Sequence, residues 1–317
     1  MNNRSRVLQA LGLLFRLVVT ALASFVILRR FGASRMIEIA WRADLPWLAA
    51  AMVLASIQVV LSAKRWQILC ELFIRSRPSL WRMIHLSGQS LLFGQLLPSS
   101  VGQDVIRAGA LARDGGLLAA ARSVICDRLV GLLALLLIVA ATLPLFALKA
   151  GETSALAGLA AVSFGGLAAF GMLALSPGWF ARLPLVGHGL AVASADFHSA
   201  LTIRGVGLGT VMLSIAVHLL GVGLFAAIVR GIHADISPFD CLVILPAAVL
   251  AASIPISLGG WGVREAVIAS GFALIGADAA GGATASILYG LTSPLCGLIA
   301  EMLGLLIRPG PMQRTTG

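Results

Sequence analysis

The chain of 317 residues is 59% hydrophobic and only 11% charged, whereas soluble domains carry about 25% charged residues. This composition excludes an ordinary soluble domain and predicts an integral membrane protein. The formal charge of +10 is typical of basic cytoplasmic loops that meet anionic lipid headgroups, and no basic segment is interleaved with aromatic residues as a nucleic-acid site requires.

Apolar stretches that are long enough, or nearly so, to cross a bilayer core of about 30 Å recur along the chain. We predict six spanning helices, at residues 7–28, 47–63, 129–148, 154–175, 205–229 and 284–307. Residues 64–82 contain Trp66, Trp81 and several basic residues, and they predict an interfacial helix. Residues 176–200 are rich in Pro and Gly and then weakly amphipathic, which predicts a connector at the inner surface.

Two shorter apolar stretches, 83–97 and 239–254, each lead into a similar motif. The motifs are LLPSSVGQDVIRA at 96–108 and IPISLGGWGVREA at 254–266, and in both Gly follows Pro by four residues and Arg by nine. Pro and Gly interrupt the hydrogen bonding of a helix and leave backbone N–H and C=O groups that lipid cannot satisfy. We therefore predict two re-entrant helical hairpins whose bends are buried in protein or line a wet cavity. The predicted hairpin breaks are Pro98, Gly102, Pro255, Gly259, Gly260 and Gly262.

The predicted fold is an all-α integral membrane protein with six full transmembrane helices and two re-entrant helical hairpins, and eight full spans are the alternative. When each motif is counted as a hairpin, Lys and Arg concentrate on one side of the membrane, the side that holds both termini. When each motif is counted as a full span, this bias disappears. The positive-inside rule makes the basic side cytoplasmic. We predict one membrane domain, 1–317, composed of a first unit, 1–150, and a second unit, 151–317. Three crossings per unit is an odd number, so the second unit is inverted, as in many transporters.

An arginine follows each break, Arg107 in the first hairpin and Arg264 in the second. A buried arginine costs about 2.5–3.5 kcal/mol at the centre of a membrane helix, so it needs a partner or a polar cavity. One interpretation is that the guanidinium and the helix N-terminal amides bind an anionic group, most plausibly a lipid phosphate. The alternative is an ion pair within the protein, with Asp104, Asp127 or Glu265 as the partner.

Other polar residues at predicted membrane depth also carry hypotheses. Asp127 and Arg128 begin a span and indicate either an interfacial anchor or an ion pair to the neighbouring hairpin. Glu301 lies inside the last span and is a candidate for proton coupling. The four cysteines are scattered and the histidines lack metal-ligand spacing. We expect no cofactor and no metal, and since no catalytic set stands out we favour a role other than that of an enzyme.

Three motifs in this order, LLPSSVGQDVIRAGAL, SVICDRLVGLL and IPISLGGWGVREA, resemble the lysylphosphatidylglycerol synthase transmembrane-region family, a flippase-like membrane domain. The resemblance implies a multi-pass protein of the bacterial inner membrane that translocates or presents an anionic phospholipid or glycolipid. The alternative it implies is an accessory subunit, or a membrane-embedded transferase component, in lipid, hopanoid or glycolipid biosynthesis. The implied partners are membrane lipids and a lipid-biosynthesis enzyme, and not nucleic acid.

The charged residues of these motifs form the predicted set that binds the lipid headgroup. They are Arg107, Arg264, Asp104, Asp127, Arg128 and Glu265. The sequence departs from the family pattern at Gln103, where Gly-Gly-Asp is common, and at Gln95, where Asn is frequent, and both differences predict a shifted headgroup preference. The sequence ends at Gly317 without a soluble aminoacyl-transferase half, so we expect no synthesis of lysyl-lipid by this chain alone.

Overall fold

The computed structural model describes residues 3–75, 77–94, 102–150, 154–183, 187–254 and 256–306. All regular structure in these ranges is α-helical. In chain order the helices are α1 (Asn3–Phe31), α2 (Ala33–Trp41), α3 (Leu45–Cys70), α4 (Leu80–Phe93), α5 (Gly102–Gly115), α6 (Leu117–Ala150), α7 (Ser154–Leu175), α8 (Pro177–Phe180), α9 (Gly187–Thr202), α10 (Gly207–Gly231), α11 (Pro238–Ala252), α12 (Val263–Leu274) and α13 (Ala279–Leu306). Two predicted breaks, Pro98 and Pro255, lie outside the described residues, as does Gln95.

The long helices agree with the predicted spans. Within the described ranges, α3, α6, α7, α10 and α13 are long and apolar enough to cross a membrane, and each overlaps one of the six predicted spans. The remaining predicted span lies in α1, where residues 17–31 form a pair with α2 that is bent by 79°. Gly32, at the bend, has a φ of 77°, which glycine adopts without steric cost. The prediction of an all-α, multi-pass membrane protein is therefore confirmed.

Each predicted hairpin corresponds to a pair of short helices that pack against each other, α4 with α5 and α11 with α12. The first members, α4 and α11, have 14 and 15 residues, fewer than the roughly 20 that span a bilayer. Both begin with a serine cap: the Ser79 hydroxyl accepts from the backbone N–H of Arg82, and Ser237 and Asp240 cap α11 reciprocally. Gly102, a predicted break, is the first residue of α5.

The prediction of an interfacial helix over residues 64–82 is wrong. The spanning helix α3 continues to Cys70, and α4 begins only at Leu80. The reason is tertiary packing, because Arg65 and Trp66 are buried on the side of α3 that faces α6. There, the Trp66 indole N–H donates to the Ser123 hydroxyl over 3.3 Å. The aromatic and basic residues at the end of this span therefore belong to the protein interior.

The connector predicted at 176–200 forms α8 and α9, and α9 packs against α6 and α7. Phe197 is fully buried and meets the Phe170 ring edge-on, with centroids 5.5 Å apart. Asp196 accepts from Arg122 Nε over 2.8 Å. The connector is therefore fixed to the bundle by one apolar and one ionic contact.

The two halves of the chain meet mainly through α3 and α10. The backbone N–H of Asp44, just before α3, donates to the carbonyl of Gly231 at the end of α10 over 2.8 Å. Further along α3, Arg65 contacts Ser214 near the start of α10, so the two helices run in opposite directions. In addition, α4 packs on α13 and α11 packs on α6. These pairings are compatible with the predicted inverted repeat, which stays a prediction.

Two clusters of large apolar side chains surround the hairpins. One includes Trp66, Met83 and Leu111 and packs the first hairpin on α3. The other includes Phe225 and Phe272 and packs the second hairpin on α10. Each hairpin is thus held by close van der Waals packing against a spanning helix of its own half.

Candidate functional site

A buried carboxylate, Asp127 of α6, holds two arginines from different helices. Its side chain is 1% exposed. Oδ1 accepts from Arg65 Nε over 2.7 Å, and Oδ2 accepts from Arg107 Nη2 over 2.9 Å. Arg65 also donates to the Ser214 hydroxyl of α10 over 3.0 Å. Asp127 therefore joins α3, α5, α6 and α10 through charge-assisted hydrogen bonds, which are stronger than neutral ones.

Arg107 of α5 lies between a carboxylate and an aromatic ring. Its Cζ is 3.9 Å from the centroid of the Trp66 ring, a distance at which cation–π attraction is strong. Its Nη1 lies 3.8 Å from Asp104 Oδ1. Its Nε is buried and has no hydrogen-bond partner in the described part of the protein. Arg107 is thus oriented from two sides and retains a donor that the described residues do not use.

The ion pairs extend to a second carboxylate, Asp104, which accepts from Arg128 Nη1. The connected group, here called the arginine network, consists of Arg65, Arg107, Arg128, Asp104 and Asp127. Three guanidiniums stand against two carboxylates, so the arginine network carries one net positive charge when all its members are ionised. The arginine network lies where α5 of the first hairpin packs against α6.

A cavity of about 230 Å³ lies beside the arginine network, between α3, α4, α5 and α13. Among the described residues that line it, Arg107 is the charged one. Hydroxyl and amide groups make up most of the rest, including Gln58, Ser62, Ser87, Gln103, Thr292 and Ser293. We call this space the polar cavity. Helices from both halves of the chain build it, and its groups can both donate and accept hydrogen bonds.

The second arginine has a different environment. Arg264 Nη2 donates to Glu265 Oε1 over 2.7 Å, and the Ser286 hydroxyl of α13 accepts from Arg264 Nε and donates to the same Glu265 oxygen. The guanidinium lies over Trp261, 4.8 Å from the ring centroid. Arg264 does not appear among the residues lining the polar cavity. Arg264 and Glu265 therefore form a locally neutral pair that connects α12 to α13.

The break of the second hairpin contains three glycines in the left-handed region, Gly259, Gly260 and Gly262, with φ of 55°, 80° and 87°. The Gly262 N–H donates to Glu265 Oε2 over 2.5 Å, which caps the start of α12. Helix α1 covers this break, because Thr20 Oγ1 accepts from the N–H of Leu258 over 2.9 Å. A side chain at Gly262 would also collide with Ala23 of α1. The Gly-Gly-Trp-Gly sequence is thus required by backbone conformation and by a neighbouring helix.

The structure brings four of the six predicted headgroup residues together, Arg107, Asp104, Asp127 and Arg128, and places Arg264 with Glu265 in a separate pair. The ion pairs named as the alternative are present at both arginines. Sequence reasoning missed Arg65, because it was assigned to an interfacial helix, although a basic residue directly after an apolar run was the available signal. It also missed the cavity hydroxyls of α4 and α13. Gln103, noted only as a departure from a pattern, lines the polar cavity.

Glu301 of α13 lies away from the polar cavity, beside His85 of α4. His85 Nδ1 and Glu301 Oε1 are 3.7 Å apart, and both atoms are buried without a hydrogen-bond partner in the described ranges. His85 Nε2 is 3.2 Å from the Gln89 side-chain amide. The proton-coupling role of Glu301 stays a prediction, now with His85 as a neighbour. No cluster of three potential ligands for a metal ion occurs in the described part of the chain, and all four cysteines are buried and unpaired.

A comparison with known families matches residues 13–300 to the family described as lysylphosphatidylglycerol synthase TM region. The match covers nearly the whole chain and includes both hairpins and the arginine network. No curated protein and no solved structure matches the chain.

Proposed function

We propose, since the chain belongs to the lysylphosphatidylglycerol synthase TM region family, that it binds the headgroup of an anionic lipid in the polar cavity and translocates or presents that lipid. The family ties the chain to lipid metabolism at a membrane. The finer role, in the bacterial inner membrane and with both termini cytoplasmic, is part of this proposal.

One observation carries the proposal. Arg107, oriented by Asp127 and Trp66, lines a polar cavity inside a bundle of membrane-spanning helices. A membrane helix does not expose a charged and hydroxyl-rich surface to lipid tails, so such a space is suited to a polar group. A guanidinium offers forked donors that match phosphate oxygens. The net positive charge of the arginine network favours an anion there.

The proposed inverted repeat supports this role. The antiparallel pairing of α3 with α10 supports an arrangement in which residues 1–150 and 151–317 are two units of opposite orientation. Helices from both parts of the chain line the polar cavity, so in this arrangement the cavity would lie between the two units. Sites between inverted units near the middle of the membrane are common in transporters, where one unit moves against the other.

Reconstitution tests the proposal. The purified full chain is inserted into phosphatidylcholine vesicles that contain fluorescently labelled phosphatidylglycerol, and movement between leaflets is followed by chemical quenching from outside. We expect movement that depends on the protein and that falls about tenfold in Arg107→Lys, because an ammonium cannot reproduce the fork. Arg35→Lys, at an exposed ion pair, is the matched control and should move lipid normally.

Other outcomes distinguish the alternatives. Lipid binding without movement would support presentation to a separate enzyme and contradict translocation. A covalent change of the lipid by purified protein would favour the transferase alternative. If the protein shows no lipid binding and no lipid movement, the proposed function as a whole is contradicted.

Proton coupling by Glu301 is a separate part of the proposal. The carboxylate faces His85, while the nearby Arg82 pairs with Asp114 over 2.8 Å. If movement of lipid is coupled to protons here, an imposed pH gradient should change its rate in the unmodified chain. Glu301→Gln should abolish that response while retaining binding. An unchanged response in Glu301→Gln would exclude the residue from coupling.

A further inference from the structure

The charges around the polar cavity restrict which headgroup it can hold. Arg107 is the charged side chain among the described lining residues. Both carboxylates of the arginine network are already paired with guanidiniums. Among the described residues of the lining and the network, a headgroup ammonium would therefore meet a positive charge and no free carboxylate, and the repulsion is strong away from bulk water.

The uncharged part of the lining has a complementary chemistry. Serine and threonine hydroxyls and side-chain amides can donate and accept. Gln58 Nε2 already donates to the carbonyl of Val217 over 2.9 Å, and Thr292 Oγ1 donates to that of Tyr289 over 2.7 Å, so these two residues offer the cavity chiefly their acceptor oxygens. These groups suit hydroxyls, which also donate and accept. A guanidinium, in contrast, only donates hydrogen bonds, so it suits phosphate oxygens, which only accept them. The lining thus separates into one cationic position, at Arg107, and several hydroxyl-matching positions on α3, α4 and α13.

We infer that the polar cavity selects a singly anionic phosphodiester headgroup that carries hydroxyls and no amine. The phosphate lies against Arg107, and the hydroxylated part lies against Gln103, Ser87 and Ser293. The negative charge of the phosphate matches the positive charge of Arg107, the charged side chain of the described lining. An aminoacylated headgroup, such as the lysyl ester in the name of the family, is excluded by the same charge balance. This inference rests on the proposed function.

The size of the cavity sets a further limit. Its volume of about 230 Å³ is below the range of roughly 300–1,000 Å³ that is usual for pockets of drug-sized ligands. A glycerol or a single sugar on the phosphate fits this limit better than an oligosaccharide does. The selected lipid class is therefore a small polyol phosphodiester, of which phosphatidylglycerol is a convenient probe.

Competition binding to the full chain in nanodiscs, followed by native mass spectrometry, tests the selection. The competing lipids are phosphatidylglycerol, lysylphosphatidylglycerol and phosphatidic acid, and the water-soluble probe is glycerophosphoglycerol. We expect phosphatidylglycerol to bind at least tenfold more tightly than lysylphosphatidylglycerol, and phosphatidic acid to bind several-fold more weakly because it lacks head hydroxyls. Equal or tighter binding of lysylphosphatidylglycerol would overturn the inference and leave the proposed function intact.

A charge introduced into the lining should reverse the preference. Gln103→Glu puts a carboxylate beside Arg107, so lysylphosphatidylglycerol should gain at least tenfold relative to phosphatidylglycerol, and Ser293→Asp is a second variant at another wall. Ser199→Glu, on the exposed side of α9, adds the same charge outside the cavity and should change nothing. If a folded lining variant keeps the original preference, the headgroup does not lie in this cavity. Absence of binding by every lipid, or glycerophosphoglycerol binding as tightly as the lipid, would instead contradict the proposed function.

Discussion

Arg107 and Arg264 hold the same place in the two hairpins, nine residues after the proline of each motif, and both side chains are nearly buried, at 12% and 10% exposure. Their charges are balanced in different ways. Arg264 pairs with its neighbour in the sequence, Glu265, whereas Arg107 depends on Asp127 of another helix and shares it with Arg65. The Arg264–Glu265 pair is locally neutral and lies beside a break that α1 closes, whereas the arginine network is net positive and borders the polar cavity.

This difference shows how one backbone motif can support two roles. A neutral pair of adjacent residues moves with its own helix and stabilises the hairpin locally. A network that shares one carboxylate between two arginines ties several helices together and leaves a positive charge available to an anion. Removing both charges of a buried pair is often tolerated, while removing one partner is not. The two hairpins should therefore respond differently to the loss of charge.

Loss of Asp127 is expected to have the largest effect, because two buried guanidiniums lose their partner. Breaking one buried pair costs about 3–5 kcal/mol, so the free energy of unfolding should fall by at least this much in Asp127→Ala. For Glu265→Ala the loss should lie within that range. Thermal unfolding in detergent measures both. Glu38→Ala is the control, since Glu38 forms an exposed pair with Arg42 and should cost less than about 1 kcal/mol.

Paired charge removal sharpens the contrast. In the double variant Arg264→Gln with Glu265→Gln the site stays neutral, and the amide carbonyl introduced at position 265 can still accept from the Gly262 N–H. This double variant should therefore be more stable than either single one. Arg107→Gln with Asp127→Asn should remain close to Asp127→Asn alone, because Arg65 still lacks its partner. A double-mutant cycle at each site measures this coupling. Full recovery at the first site would mean that the two hairpins balance charge alike.

The contact of α1 with the second break is expected to have an intermediate effect. Gly262 has φ 87° and ψ −48°, and Gly116 has φ 86°, so a residue with a side chain is strained at both positions. Nothing lies near a side chain at Gly116, whereas Gly262 faces Ala23. Gly262→Ala should therefore lose more thermal stability than Gly116→Ala, and Ala23→Gly should restore part of the difference. Equal losses would show that α1 does not press on the break.

The spans and the glycine break were predictable because their causes are local in the sequence. A bilayer sets the length of an apolar run, and the left-handed conformations of Gly260 and Gly262 demand glycine. The ion pairs were predictable only as alternatives. Arg65 was not predicted, since its partner Asp127 lies 62 residues away and only the packing of α3 on α6 brings them together. The same local features at 64–82, tryptophan beside basic residues, would have suited an interface with lipid equally well.

The smallest expected effect concerns the serines that complete each site. Ser286 accepts from Arg264 and donates to Glu265, whereas Ser214 accepts a single bond from Arg65. Each alanine variant removes one hydroxyl and leaves its ion pair in place, so both should be measurably less stable than the unmodified chain but more stable than the carboxylate variants, and Ser286→Ala should lose more than Ser214→Ala. Only Ser214→Ala should also weaken binding of phosphatidylglycerol, because Arg65 shares Asp127 with Arg107. If Ser286→Ala is fully folded and still binds phosphatidylglycerol more weakly, the second hairpin belongs to the headgroup site.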